Sequence, residues 1–189
     1  LYHTTLDWWQ ESFNDDFEAY LEFLHDSVEI LCTNYGPIGG FWFDGNWSRH
    51  DVDWKEDRLY AIIRRLQPEA VIINNTGVDR PGAVGHPEID CLTYEQGRPT
   101  RLDRTGMSKY VAGEMCQTLN THWGYTPQDY EYLSPAGVIK YLCACRRAGA
   151  NYLLNVGPTP EGLIPDYEAA VLTRAGQWVQ AHAEPVYGG

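Results

Sequence analysis

Hydrophobic positions change their period several times along this chain, and each change marks an element. Phe17, Tyr20, Leu21, Leu24, Val28, Leu31 and Tyr35 recur mostly at steps of three and four, the spacing of one face of an α-helix. This predicts a helix over 16–34, capped by Asp15 or Asp16 and ended by Gly36-Pro37. Shorter runs are apolar without alternation: Phe41-Trp42-Phe43 stopped by Asp44-Gly45, Ala70-Val71-Ile72-Ile73 ending in Asn74-Asn75, Ile89 to Thr93 running into Tyr94-Glu95, and Asn151 to Val156. Such runs read as strands buried on both faces, the mark of a parallel sheet covered by helices. A weaker strand is expected over 111–115, and Leu1 to Thr4 reads as the end of another, followed by a loop containing Asp7, Trp8 and Trp9. Further helices are predicted over 54–66, with Leu59, Ile62, Ile63 and Leu66 inward, from Ser134-Pro135 to Arg147 with Gly149 after it, and over 166–181.

Strand and helix therefore alternate, as in α/β folds. Polar residues close the strands at their C-terminal ends: Asp44, Asn74, Glu95 and Asn155. In a (β/α)₈ barrel that edge carries the chemistry, although a flavodoxin-like open sheet gives a similar pattern. No Gly-rich phosphate loop follows a strand, which counts against nucleotide binding.

Composition narrows the partners. The chain has 189 residues, 43% of them hydrophobic and 21% charged, enough for one domain with a sizeable core. Fourteen basic residues against twenty-six acidic ones give a net charge of −12, which argues against nucleic acid and against an anionic membrane. No run of about 18 apolar residues occurs, and no basic-then-apolar leader is visible. The five cysteines (Cys32, Cys91, Cys116, Cys143 and Cys145) form no CxxC pair and read as reduced, buried small hydrophobes. A cytoplasmic location is the expectation. Aromatic residues reach 13% with seven Trp, a composition that suits sugar handling because ring faces stack on the apolar faces of sugars.

Asp44 closes a buried strand, so a rigid element holds it as a nucleophile must be held. Its bland reading is a cap or loop acid, and that of Glu95 is a solvated loop acid. Together they supply the two carboxylates of glycoside hydrolysis. Metal chemistry fits poorly. Asp44, Asn46 and Ser48 imitate the start of a calcium loop, but Arg49 and Lys55 stand where Gly and Glu are needed. The histidines lack zinc-ligand spacing, and the nucleophile elbow of serine hydrolases is missing. His122 beside Trp123 reads as structural or surface. Asn46 and Asn74 head glycosylation sequons, where a glycan would crowd the strand ends.

These residues carry a resemblance. Leu31 to Gly45, with Phe41-Trp42-Phe43-Asp44-Gly45 at its end, resembles the nucleophile segment of glycoside hydrolase family 29, the α-L-fucosidases. Val71 to Asn75 is similar to the next barrel strand, Gly113 to Tyr125 resembles the family's Trp-Glu-x-Cys-x-Thr…Trp-Gly-Tyr motif, and Asn151 to Pro158 resembles its final strand. The resemblance implies that Asp44 is the nucleophile and Glu95 the acid/base, with Glu88 and Glu114 as rivals. It implies that Trp47 and Trp123 line the fucose pocket, that Tyr2 or His3 matches a pocket tyrosine, and that Glu114 belongs to the substrate-binding set. It also implies a barrel represented by about strands 3–8, without the family's histidine-bearing first strands and its β-sandwich. Two departures stand out: Thr76 replaces an arginine, with Arg80 as a substitute or the contact absent, and Gly113 stands where Trp is usual. The implied activity is that of a retaining exo-glycosidase acting on fucosylated oligosaccharides or glycoconjugates through a covalent fucosyl-enzyme, without metal or organic cofactor. The alternative is a non-catalytic sugar-binding or assembly fragment. Open sheet edges lead us to expect a homo-oligomer.

Overall fold

The structure is a computed structural model that describes residues 1–7 and 9–188; Trp8, placed in a loop by the sequence, lies outside the described residues. The elements in chain order are β1 (Tyr2–Thr4), α1 (Glu11–Asp15), α2 (Phe17–Asn34), β2 (Gly40–Asp44), a 3₁₀ turn (Asn46–Ser48), α3 (Glu56–Leu66), β3 (Val71–Asn74), β4 (Cys91–Glu95), β5 (Ala112–Thr118), α4 (Pro135–Ala148), β6 (Asn151–Asn155), α5 (Asp166–Ala181) and α6 (Ala183–Tyr187). The six strands follow one another in the sheet in chain order. β1 pairs with β2, β2 with β3, β3 with β4 and β5 with β6, all parallel. A doubly wound sheet reverses its order at a switch point, and this sheet does not, so the flavodoxin-like alternative fails. Parallel strands in chain order fit part of a (β/α)₈ barrel.

Two compact units divide the chain: residues 1–93 with 106–111, and residues 94–105 with 112–189. In the first, α2 begins where Asp16 Oδ1 accepts from the Ala19 N–H at 3.0 Å. Its apolar stripe of Tyr20, Leu21, Leu24 and Val28 is buried, as are Phe41 and Phe43 of β2, Leu59, Tyr60 and Ile63 of α3, and Ile72 of β3. A Cβ at Gly40 would lie 2.6 Å from the Val71 carbonyl oxygen, so only glycine permits the β2–β3 approach at that point. Arg64 clamps the β3 and β4 starts by donating to Ala70 O, Glu88 Oε2 and Asp90 Oδ2.

In the second unit, β5 and β6 run in register from Glu114–Asn151 to Thr118–Asn155. Tyr94, Met115, Cys145, Ala148 and Ala150 pack into one cluster, and Leu119, Val138, Val171 and Ala175 into another. Ser134 Oγ caps α4 by accepting from Gly137 N–H at 3.1 Å, and Gly149 at φ 72° ends it.

Four expectations need correction. The strand predicted over 111–115 runs to Thr118 and is the longest described, because Gln117 and Thr118 are buried and bonded to Tyr152 and Gln96. The helix expected from 54 starts at Glu56, since Asp53 Oδ1 takes the Lys55 N–H and Lys55 turns left-handed at φ 53°. Leu66 is only partly buried while Tyr60 is fully enclosed. Cys143 is half-buried; the other four cysteines are buried, and all five are free thiols. Among the described residues, no helix is long and apolar enough to cross a membrane.

Candidate active site

Asp44 is the last residue of β2, half-buried, and its carboxylate is held from three directions. The Tyr2 hydroxyl donates to Oδ2 at 2.6 Å. The Trp47 indole N–H donates to Oδ1 at 2.8 Å, and Asn75 Nδ2 donates to the same oxygen at 3.1 Å. Each donor follows from the local fold. Tyr2 pairs with Trp42 across the β1–β2 ladder, their rings stacked at 5.7 Å. Trp47 sits in the 3₁₀ turn that begins after Gly45, where φ reaches 113° and favours glycine. Asn75 is fully buried just past β3, its own Oδ1 accepting the Gly77 N–H at 3.1 Å. A carboxylate with this support keeps one orientation, and among the described residues Oδ2 takes one donor.

His3 faces the other way. Side chains alternate along a strand, so His3 turns to α2, with Nε2 3.3 Å from Ser27 Oγ and its ring 5.9 Å from that of Phe43. The expectation that left Tyr2 and His3 open is thereby corrected: Tyr2 reaches Asp44 and His3 packs behind it. Thr76, at the expected arginine position, is buried and bonded to Ala83 O at 3.2 Å. Arg80 is well exposed and pairs with Asp79 at 3.5 Å.

In the second unit, Glu95 is the last residue of β4, half-buried. Gln96 follows at φ 52°, a left-handed conformation that non-glycine residues adopt at some cost. The rivals stand elsewhere. Glu88 precedes β4, and its carboxylate accepts from Arg64 Nε at 2.8 Å. That hydrogen bond holds Glu88 below the usual carboxylate range, the wrong direction for a general acid. Glu114 is buried in the first half of β5 and accepts from Asn151 Nδ2 at 2.7 Å, at the first residue of β6. It therefore does not stand at the C-terminal end of its strand, contrary to its expected place in a substrate-binding set.

Trp123 lies in the loop after β5, nearly half exposed, and its carbonyl accepts from Asn155 Nδ2 at 2.8 Å. A Cβ on Gly157 would lie 2.6 Å from Gly124 C and Tyr125 N, so the loops after β5 and β6 meet backbone to backbone. His122 Nδ1 contacts Asp129 Oδ2 at 2.7 Å. Hydrogen bonds from Thr121 and His122 hold the Asp129 carboxyl well below the usual range. Sequence reasoning did not single out Asn75 as a partner of Asp44, nor Glu56 as the acceptor shared by Asn46 and Asn74. The polar Asn74-Asn75 pair closing an apolar strand was the signal that pointed there. Among the described residues, no group of three or more His, Cys, Asp or Glu side chains could hold a metal ion.

A sequence model of the alpha-L-fucosidase family matches residues 1–184. An alpha-L-fucosidase of Dictyostelium discoideum is 27% identical over 203 residues, covering all of this chain and 42% of that protein. The chain thus spans about two fifths of the length of this curated relative. Alpha-L-fucosidase isoenzyme 1 of Paenibacillus thiaminolyticus superposes with a TM-score of 0.76 at 32% identity, over 99% of this chain and 49% of the other. The AlfC alpha-L-fucosidase of Lactobacillus casei, solved as its D200A variant in complex with Fuca(1,6)GlcNAc, shares the fold at a TM-score of 0.65 and 22% identity, over 97% of this chain and 60% of the other.

Proposed function

Because this chain belongs to the alpha-L-fucosidase family of glycoside hydrolases, we propose that it carries the two reacting carboxylates of a retaining exo-α-L-fucosidase. Asp44 attacks C1 of the fucose as the bond from C1 to the aglycone oxygen breaks, and Glu95 delivers its proton to that oxygen. In the second step Glu95 takes a proton from water, the water oxygen bonds to C1, and the bond between C1 and Asp44 breaks. Oδ2 is the attacking oxygen: Oδ1 already takes two donors, whereas Oδ2 takes one. The observation that carries this reading is the triple anchoring of Asp44 at a strand end, the preorganisation that a nucleophile needs. Trp47 and Trp123 offer apolar faces to the sugar. The substrates are fucosylated oligosaccharides or glycoconjugates.

The test is hydrolysis of an aryl α-L-fucoside by the full-length protein, with Asp44→Ala as the blank and the product followed by proton NMR. α-L-Fucose as the first anomer released supports double displacement. β-L-Fucose first, or no turnover above the blank, overturns it.

A further inference from the structure

A buried carboxyl group that the reaction does not use lies under the loops after β5 and β6. Glu168 stands in the first turn of α5 and is only 1% exposed. Its own helix begins without a side-chain cap. Glu168 reaches the loops instead. Its Oε1 accepts from Nδ2 of Asn120 at 3.3 Å, just past the end of β5. Its carboxyl group also takes a hydrogen bond from the backbone of Gly157, just past the end of β6. One side chain of α5 thus joins both loops at the C-terminal ends of their strands, the edge that carries the chemistry in a (β/α) barrel.

Asn120 passes the contact on. Its Oδ1 accepts the His122 N–H at 3.1 Å, so the amide has one orientation: nitrogen to Glu168, oxygen to the backbone. Trp123 follows His122, and its carbonyl accepts from Asn155 Nδ2. A short chain of hydrogen bonds therefore runs from Glu168 through Asn120 to the backbone that carries Trp123.

Oε2 is the loose end. It is buried and has no hydrogen-bond partner, and among the described residues no cation pairs with Glu168. A carboxylate there would hold a charged oxygen away from both water and a donor, which costs far more than a neutral acid in the same place. Burial raises the Glu168 value, the hydrogen bond from Gly157 opposes the rise, and the Asp129 carboxylate adds to it. Tyr132 is raised by burial and then by the charge of Glu168. His122 is engaged by Asp129, and Asp166 and Tyr167 of the same helix turn bring no positive charge.

The inference rests on the reading of Trp123 as a wall of the fucose pocket. We propose that Glu168 is a positioning residue of that site: as the neutral acid it ties the loops after β5 and β6 together and fixes Trp123 against the sugar, and as the carboxylate it releases them. Sugar binding then weakens as the pH rises, although Glu168 touches neither the substrate nor the reacting atoms.

The test uses the full-length protein with isotopically labelled tryptophan. The indole N–H resonance of Trp123, assigned by its loss in Trp123→Phe, is followed from about pH 4 to about pH 8 in the unaltered protein, Glu168→Gln and Asn120→Ala. KM and kcat for an aryl α-L-fucoside are measured over the same range. Glu168→Gln keeps the acceptor and stays neutral throughout. It holds the resonance at its acidic position, apart from any movement due to His122 that both proteins share, and it abolishes the rise of KM with pH. Asn120→Ala, at a half-buried position, serves where Glu168→Gln disturbs the fold. It displaces the resonance at every pH and raises KM about three- to tenfold, the value of one hydrogen bond, with kcat nearly unchanged. A purely structural role would lower the melting temperature and leave these pH profiles parallel. A resonance that titrates alike in the unaltered protein and Glu168→Gln, a KM profile indifferent to that substitution, or an unmoved KM in Asn120→Ala overturns the proposal. Normal hydrolysis alongside such results leaves the fucosidase reading standing. If none of the proteins hydrolyses the fucoside, that reading fails and the indole resonance still decides this one.

Discussion

Replacing Tyr2 with phenylalanine removes one hydroxyl, and the structure says which step should suffer. That hydroxyl donates to Asp44 Oδ2 at 2.6 Å. A hydrogen bond to a charged acceptor is worth about 1.5–3 kcal/mol. In the first step the carboxylate becomes a neutral ester, so losing the donor favours attack electrostatically and offsets the looser orientation. In the second step the ester oxygen becomes a carboxylate again, and the donor stabilises the charge as it returns. A loss of about 1–2 kcal/mol therefore falls on the second step, roughly five- to thirtyfold in rate. On an aryl fucoside whose leaving group is good enough for the second step to limit turnover, kcat should fall by that factor and KM with it, while kcat/KM changes little. Folding is spared: Tyr2 is 69% exposed and its stack on Trp42 survives, so stability should move by no more than about 0.5 kcal/mol. Steady-state and pre-steady-state kinetics on an aryl α-L-fucoside, with a thermal melt alongside, read all of this. A fall in kcat/KM with kcat unchanged refutes the reasoning, and so does a large drop in melting temperature.

Three further outcomes are expected. Glu95→Gln spares activated aryl fucosides and cripples those with poor leaving groups, because only the latter need protonation; if Glu88→Gln or Glu114→Gln shows that pattern instead, the acid/base assignment moves. Gly157→Ala forces a Cβ into the Gly124–Tyr125 backbone and displaces Trp123. It should cost about 1–3 kcal/mol of stability and raise KM for the fucoside, and an unchanged melt would show that the two loops are not in contact. Asp129 is held below its ordinary value by hydrogen bonds from Thr121 and His122. Its stabilisation is therefore present above about pH 4 and lost as the pH falls through its folded value. Asp129→Asn should flatten the acid limb of the melting curve below about pH 4 and leave its slope above that unchanged, and parallel curves for the two proteins below about pH 4 would contradict this.

Much of the fold is legible along the chain because its strands are continuous apolar runs and its helices carry clear stripes. The α2 cap at Asp16 and the α4 signals Ser134-Pro135 and Gly149 stand where the pattern puts them. β5 reads short because Gln117 and Thr118 look like a loop until Tyr152 and Gln96 are seen to satisfy them. Asp44 is visible as a carboxylate closing Phe41-Trp42-Phe43. Its donors are not, since Tyr2 and Asn75 come from strands 42 and 31 residues away in sequence. Tyr2 and His3 look equivalent on paper, and only the alternation of β1 sends one to Asp44 and the other to Ser27. The Glu56 acceptor has no linear signature, because the two asparagines that donate to it lie 28 residues apart.

The most direct test of the account is to catch the sugar on Asp44. The full-length protein is incubated with 2-deoxy-2-fluoro-α-L-fucosyl fluoride, whose fluorine at C2 slows both steps while its good leaving group restores the first, and is then digested and sequenced by mass spectrometry. The account predicts one added fluorofucosyl group per protein, on the Asp44 carboxylate in the peptide containing Phe41-Trp42-Phe43-Asp44-Gly45, and none in Asp44→Ala. Label on Glu95 or another carboxylate, or time-dependent inactivation that persists in Asp44→Ala, would contradict it.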